Sequence, residues 1–342
     1  MKTILYSPGE PSGIGVDLVI KLCSLNFWGN LKLPIVCIAD SKLILDRAKV
    51  LGIKINIDEL KDINNAKRNK KNTLQIFFVS VCKDTQPGKL KKINASYVIE
   101  NLDFAINYSK NNKRTALVTG PISKENVIHK YKNFTGHTER IKEKTDSKSV
   151  LMMLASSKLK VALATTHIPL KDVPKKITKK LLMTKIQILH EELKNKFNIK
   201  NPKIKMLGLN PHSGENGKIG KEEKSILIPT AKYLRGKNIN VSLPISADTA
   251  FTKKNLMSTD AYFGMYHDQV LPVLKALSFG KSFNITLGTS IIRTSVDHGV
   301  ALDIAGSKKS DESSLKEAIK IAAKLIKCCL LYTSDAADDI GR

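Results

Sequence analysis

Arginine is scarce in this sequence: only 7 of its 57 basic residues are Arg, and the other 50 are Lys. The chain of 342 residues still carries a formal net charge of +26. A charge of this sign suits nucleic acid or an anionic membrane surface. Readers of nucleic acid, however, rely on the planar fork and stacking of Arg. Here Lys is spread along the whole chain among abundant Asn and Ile, as AT-rich codons would produce, so neither nucleic acid nor a membrane is expected as a partner. Cysteine is also sparse. Cys23, Cys37, Cys82, Cys328 and Cys329 show no C-x-x-C and no paired spacing, and three of the five lie in apolar runs. That excludes a disulfide scaffold and points to a reducing cytoplasm. No stretch approaches the roughly 18 uninterrupted apolar residues of a spanning helix. The apolar run within Met1–Pro8 is too short for a signal peptide, and a soluble protein is expected. The dinucleotide fingerprint G-x-G-x-x-G and a Walker Lys-Ser/Thr are both missing. Internal repeats and long linkers are missing too.

The last residues break the composition. From Leu330 the chain loses its Lys and turns acidic, through Tyr332-Thr333-Ser334-Asp335-Ala336-Ala337-Asp338. We read 330–342 as a translated sequencing adapter joined to the gene, exclude it from fold reasoning, and expect the natural C-terminus to be absent. Without its three Asp and one Arg, the charge of +26 becomes +26 + 3 − 1, or +28.

Apolar runs alternate with amphipathic ones through the rest. Thr3–Ser7, Pro34–Ala39, Leu74–Val81 and Thr115–Thr119 are short, continuous and rich in β-branched residues, as buried strands are. Gly15–Leu25, Lys42–Leu51 and Ala95–Ser109 between them show helical spacing. This order predicts an α/β fold with a largely parallel sheet flanked by helices. Ser149–Ala155 and Lys160–Thr166 flank the turn-like Ser156-Ser157-Lys158 and predict a hairpin. Lys171–Phe197 reads as a long helical region with Pro174 near its start. Lys205–Leu209, Ile239–Ile245, Ala261–Tyr266 and Phe283–Leu287 read as strands, and Glu312–Lys327 as a closing helix. The Lys/Asn clusters Asn64–Asn72 and Ser109–Lys113 read as surface loops.

Seven histidines are present. His167, in Thr165-Thr166-His167-Ile168-Pro169, His212, in Leu209-Asn210-Pro211-His212-Ser213-Gly214, and His267, in Met265-Tyr266-His267-Asp268-Gln269, each follow a strand. Ligands of open α/β sheets collect outside the carboxyl ends of strands, and three imidazoles leave a metal open coordination positions. A single histidine so placed is more often a packed or capping residue; the repeated placement favours a site. His137 lies at a strand-to-helix turn in Gly136-His137-Thr138-Glu139. His129 and His190 sit in Lys-rich helical contexts and read as surface residues, and His298 reads as a site residue or a turn hydrogen bond. Lys275, Asn284 and Arg293 add donors of the kind that hold a phosphate or carboxylate. The loop Gly9–Gly15 opens the first helix, where its amides hold a phosphate or simply make a tight turn. Thr119–Lys124 is a second such junction, with Ser123 placed to cap a helix. Asn210–Glu222, rich in Gly and Asn, reads as a loop over a site.

Gly9–Gly15, Thr119–Lys124, Gly136–Glu139, Leu209–Glu215, Met265–Leu274 and Ile292–Gly306 fall in the order and spacing of one family. The chain resembles the 4-hydroxythreonine-4-phosphate dehydrogenases of pyridoxal phosphate biosynthesis, from about Leu5 to Lys327 and most weakly between Pro34 and Lys91. The resemblance implies two α/β domains with a central cleft, as in isocitrate and isopropylmalate dehydrogenases. Residues 1–128 with 270–329 would form a discontinuous first domain on the NAD side, and 129–269 a second on the metal and dimer side. It implies NAD, or NADP, bound without the usual fingerprint, and one divalent ion per site (Zn, Mg, Mn or Co) on His167, His212 and His267. His267 is expected from the neighbouring subunit of a homodimer. His137, Thr138, Lys275, Asn284 and Arg293 would hold a small phosphorylated substrate. Lys275 and Arg293 would supply fixed positive charge. Asp248 and Asp268 are candidates for amine binding or proton relay, or for orienting a neighbour. In the reaction so implied, hydride passes to the nicotinamide and the resulting β-keto acid loses CO₂.

Two positions depart from the family. Gly15-Val16-Asp17 stands where many members carry Pro and Glu, and Arg140 where an aromatic is more usual. The nearest rival reading is a paralogue that oxidises a four-carbon sugar-acid phosphate, threonate or erythronate 4-phosphate. A metal-dependent phosphoesterase would also use three histidines, but no second carboxylate-rich cluster accompanies them. A nucleic-acid-binding protein would show strongly salt-dependent DNA affinity.

Overall fold

The computed structural model describes the backbone of residues 1–278 and 280–338, and the side chains among them through Cys328. The segment 330–342, read above as adapter-derived, lies outside the described side chains. Eleven strands are present among the described residues: β1 (Thr3–Ser7), β2 (Ile35–Ile38), β3 (Asn56–Glu59), β4 (Thr73–Phe77), β5 (Thr115–Thr119), β6 (Leu151–Ala155), β7 (Lys160–Leu163), β8 (Ile204–Met206), β9 (Ala261–Gly264), β10 (Phe283–Leu287) and β11 (Ile292–Ser295). Contacts divide the chain into two compact units, Met1–Ser147 with Thr289–Leu330, and Lys148–Gly288. These boundaries differ from those read in the sequence, so the helix His137–Lys144 belongs to the first unit and the helix His267–Ser278 to the second.

In the first unit the strands run β3-β4-β2-β1-β5-β11, and every neighbouring pair is parallel. All five residues of β1 and of β5 are buried, which is why these strands show no polar alternation. Helices cover the sheet, and Leu102 and Ile106 of the helix Ala95–Asn111 pack with Leu5, Val36, Ile38 and Leu117. In the second unit the order is β10-β6-β7-β9-β8. Its β6–β7 hairpin is antiparallel, as the turn at Ser156-Ser157-Lys158 predicts, and β10 adds antiparallel to β6. The pairs β7–β9 and β9–β8 are parallel. Leu163, Leu207, Tyr262, Val270 and Leu274 form part of its core.

Several local expectations are refined or corrected. Lys171–Phe197 is helical as expected, in three pieces, Leu170–Asp172, Val173–Lys176 and Lys179–Asn195. Thr178 breaks the run, its side chain accepting from Leu181 N at 3.2 Å as an N-cap. Ile239–Ile245 makes only isolated bridges, Val241 to Ile204 and Ile245 to Leu207; Pro244 removes one ladder donor. β3 went unrecognised because Asn-Ile-Asp-Glu is a polar edge strand. Asn69, within a presumed surface loop, is buried, donating to Leu33 O (2.8 Å) and accepting from Ile35 N (2.9 Å). His190 is likewise buried rather than at the surface, whereas His129 is exposed as read.

The Gly9–Gly15 loop is fixed by packing. A Cβ on Gly15 would stand 2.0 Å from Pro8 O, and one on Gly9 (φ +81°) 2.2 Å from Pro121 O. A tight turn therefore accounts for these glycines. The loop is pinned by Arg47, which donates to Gly13 O (3.0 Å), to Pro11 O (2.8 Å) and to the Asp17 carboxylate. Asp17 also accepts from Gly306 N at 2.7 Å, and Ile14 N donates to Val300 O at 3.0 Å. The pair is almost wholly buried, at 2% and 0% side-chain exposure. Truncating Asp17 strands a buried guanidinium. Asp17→Ala is expected to lower the urea-unfolding free energy by about 3–5 kcal/mol; a loss within the ~0.5 kcal/mol typical of surface changes would contradict the pin.

Candidate active site

His167, His212 and His267 follow the carboxyl ends of β7, β8 and β9, where loops leave the sheet, whereas Arg293 and Asn284 lie within β11 and β10. In the first unit Arg293 on β11 is buried, and its Nε and Nη2 donate to Thr119 Oγ1 at the end of β5, at 3.2 and 2.7 Å. The register that sets Ser295 opposite Thr119 brings them together. Burial pushes the Arg293 pKa down to about 10, opposed by Glu139, so the group remains cationic at neutral pH. His137 opens the helix His137–Lys144 after Gly136, whose φ of +152° suits glycine. Burial, then the positive charges of Arg293 and Lys124, hold the His137 imidazole well below its ordinary pKa. Thr138 follows in the same first turn. Lys124 begins the short helix Lys124–Ile128, capped by Ser123 as expected, with Asn126 N donating to Ser123 Oγ at 3.2 Å. Two cations of this unit, Arg293 and Lys124, thus act on His137. In the nearby Gly9–Gly15 loop Glu10 is fully buried, and burial raises its pKa against the lowering effect of hydrogen bonds from Asn126 and Ser12.

In the second unit His167 follows β7 and His267 follows β9, and their rings stand 5.7 Å apart between centroids. The parallel pairing of β7 with β9 sets Leu163 opposite Gly264, so both strands end together. His267 Nδ1 is 2.6 Å from Asp268 Oδ1. A carboxylate on Nδ1 fixes that nitrogen as the N–H and leaves Nε2 with the lone pair. His212 follows β8 in the segment Pro211–Gly217, which has a run of positive φ: His212 49°, Ser213 52°, Gly214 78°, Glu215 41° and Asn216 57°. Left-handed backbone costs about 1–2 kcal/mol for each L-residue so placed, and such strain gathers at functional sites. Asp248 lies in the first turn of the helix Ala247–Ala250; a hydrogen bond from Ser246 and, in smaller part, the charge of His212 hold its pKa below the usual carboxylate value. Lys275 lies in the last turns of the helix His267–Ser278, where Pro272 removes one internal donor. Asn284 sits on β10, and its Oδ1 is buried with no hydrogen-bond partner among the described residues.

The imidazoles suit a divalent cation of borderline softness. His167 and His267 come together within one chain, with Asp268 orienting one of them. Among the described residues of one chain, no group of three or more His, Cys, Asp or Glu side chains is placed to hold a metal ion. The donor set therefore fits in kind, with two of the three histidines side by side.

Two residues were not singled out from the sequence. Gln269 accepts from Met265 N (2.7 Å) and donates to Gly208 O (2.6 Å), bracing the end of β9 against the chain leaving β8. It falls within the Met265–Leu274 segment, but spacing alone gives it no task. Glu223 lies in a Lys/Glu-rich run that reads as a solvated face, yet it is buried. His298, left open between two readings, has Nδ1 3.0 Å from Gly299 O, a local turn contact. Arg140 is bound to the first unit's Asp103, with Nε 2.8 Å from Oδ1.

Because the folded His137 pKa lies below the unfolded value of about 6.5, the unfolded chain binds the extra proton. Its contribution is intact above that pH and is lost as pH falls below it. The melting temperature of the wild type should therefore drop more between pH 7 and pH 5 than that of His137→Gln. Parallel pH profiles would show that His137 titrates normally.

Known proteins resemble this arrangement along nearly its full length. A family model described as pyridoxal phosphate biosynthetic protein PdxA matches residues 30–322. A 4-hydroxythreonine-4-phosphate dehydrogenase of Enterobacter sp. (strain 638) is 44% identical over 323 residues, covering 94% of this chain and 97% of that protein. The crystal structure of a 4-hydroxythreonine-4-phosphate dehydrogenase from Klebsiella pneumoniae superposes with a TM-score of 0.85 at 28% identity, covering 95% of this chain and 100% of that one. One from Burkholderia phymatum gives 0.82 at 31% identity, covering 95% and 98%.

Proposed function

Because this chain belongs to the PdxA family of pyridoxal phosphate biosynthetic proteins, we propose that it oxidises 4-phosphooxy-L-threonine to 2-amino-3-oxo-4-phosphooxybutanoate. That 3-oxo acid loses CO₂ to give 3-amino-2-oxopropyl phosphate, on the route to pyridoxal 5′-phosphate, vitamin B6. NAD, or NADP in its place, would supply the hydride acceptor for the hydroxyl-bearing carbon. The observation that supports this reading is the His167–His267 pair with Asp268 on Nδ1 of His267, side chains of the types that hold a divalent cation. A divalent ion (Zn, Mg, Mn or Co) on His167, His212 and His267 would lower the pKa of the substrate hydroxyl and draw off electron density as the carboxylate departs.

The chain's own residues do the rest. Arg293, its plane set by two hydrogen bonds to Thr119 and its charge retained at neutral pH, holds an anionic group of the substrate. His137 stays neutral beside it, so one ring nitrogen donates and the other accepts. Thr138 adds a hydroxyl and Lys275 a second fixed charge. The open acceptor of Asn284 takes a substrate N–H or O–H. Asp248, kept ionised by Ser246, is the candidate to bind the amine or accept the hydroxyl proton. Asp268 orients His267. The active protein is a cytoplasmic homodimer in this reading, the neighbouring subunit contributing its His267 to the ligand set. A reducing compartment agrees with the buried free thiols Cys23 and Cys37; burial pushes the Cys23 pKa up to about 12.

Reduced nicotinamide should appear when the purified protein meets 4-phosphooxy-L-threonine and a divalent ion, and a chelator should stop it. Turnover of threonate phosphate in place of the amino acid phosphate would move the protein to sugar-acid metabolism. Arg293→Ala is expected to raise KM and lower kcat, with kcat/KM down at least about tenfold, or ~1.4 kcal/mol. An unchanged kcat/KM would remove Arg293 from the site.

A further inference from the structure

We propose that Glu223 is the positioning residue that holds His212 in place, by clamping the base of the left-handed turn that carries it. The inference rests on the reading of His212 as a metal ligand. Five consecutive residues, His212 through Asn216, have positive φ, and only Gly214 among them is a glycine. Such a turn does not persist by local preference; surrounding structure must over-determine it. The restraint is visible at its entry. Glu223 Oε1 accepts from both Leu209 N and Asn210 N, each at 2.8 Å. Its Oε2 accepts from Asn210 Nδ2 at 2.9 Å, and that same amide donates to Glu222 Oε2 at 2.9 Å. Glu223 thereby fixes the two residues that precede Pro211, and the proline's restricted φ passes that orientation to His212.

The turn is closed from the other side. Ile219 N donates to Gly214 O at 3.2 Å, and a Cβ on Gly214 would stand 2.6 Å from Glu223 Oε2. Gly220 (φ +127°) is pressed as tightly, its Cβ position lying 2.3 Å from Asn210 Nδ2. The Glu223 carboxylate leaves no room for a side chain at Gly214, and the Asn210 amide it holds leaves none at Gly220. Glu223 is only 2% exposed, and its three accepted hydrogen bonds all come from Leu209 and Asn210. None of them comes from a distant core element, so the carboxylate serves the turn. The catalytic chemistry does not pass through Glu223; it acts on the metal site through the backbone that aims an imidazole. Supporting residues of this kind set metal affinity by typically 10–100-fold.

Co(II) is the probe, titrated by calorimetry and followed by its visible absorption, into the full chain stripped of metal. Glu223→Ala should bind Co(II) about 10–100-fold more weakly than the wild type, with a changed ligand-field spectrum. Glu223→Gln should stay within a few-fold of the wild type, because Oε1 can still accept both backbone N–H groups. Co(II) affinity unchanged in Glu223→Ala overturns the proposal. If Glu223→Ala fails to fold, Glu223→Asp decides: its carboxylate is one methylene short of the turn, so weakened binding supports the clamp and wild-type binding overturns it. His212→Ala separates the two layers of the argument. Loss of Co(II) affinity in His212→Ala but not in the folded Glu223 variants refutes the clamp alone. Full affinity in His212→Ala refutes the metal reading, and the clamp falls with it.

Discussion

Backbone carbonyls occupy the space where side chains would start at the carboxyl end of the first unit's sheet, and everything placed there depends on that steric limit. Pro8 O lies 2.0 Å from the Cβ position of Gly15 and 2.2 Å from that of Gly120, and Pro121 O lies 2.2 Å from that of Gly9. Only glycine lets the turn after β1 and the turn after β5 lie against one another. Gly120 N closes the contact by donating to Ser7 O at 2.8 Å. With the two turns seated, Thr119 is held at the end of β5 to receive Arg293, and the Asp17–Arg47 pin ties the first turn to Gly306. The glycine-rich loop is thus a hinge of the architecture, and its helix N-terminus need bind nothing for its composition to be explained.

The second unit meets the same demand by other means. Its strand ends carry three histidines, and amide and carboxylate braces are added there to the close packing at Gly208 and Gly264. Gln269 links the chain leaving β8 to the end of β9 with one donated and one accepted hydrogen bond. Asp268, its neighbour, fixes the tautomer of His267. The residues 267–269 therefore divide three tasks over three consecutive positions: the proposed ligand, its orienter and a brace. This is possible because they open a helix, where successive side chains fan out around the axis.

How much of this could be read in the sequence follows from what each residue interacts with. Thr3–Ser7, Thr115–Thr119 and Phe283–Leu287 were legible residue for residue, because strands buried on both faces write continuous β-branched runs. His167, His212 and His267 were legible as candidates because each follows a short run read as a strand. β3 and the Asn69 contact were not, since a polar edge strand and a buried amide look like surface in one dimension. Glu223 was illegible for a related reason: within Lys221-Glu222-Glu223-Lys224 nothing distinguishes the buried carboxylate from the one beside it. Its partners, two backbone N–H groups and an amide more than ten residues earlier, exist only after the turn has formed. His190 was misplaced because Lys-rich spacing conceals which face of a helix meets the core.

The central claim is oxidation coupled to loss of the carboxylate, and product stoichiometry addresses it most directly. 4-Phosphooxy-L-threonine labelled with ¹³C at its carboxylate would be incubated with the protein, NAD and a divalent ion, while labelled CO₂ and reduced nicotinamide are measured in the same vessel. One labelled CO₂ for each reduced nicotinamide is the predicted result. Inorganic phosphate released in place of CO₂, with NAD left oxidised, would contradict the account and turn the histidines toward hydrolysis.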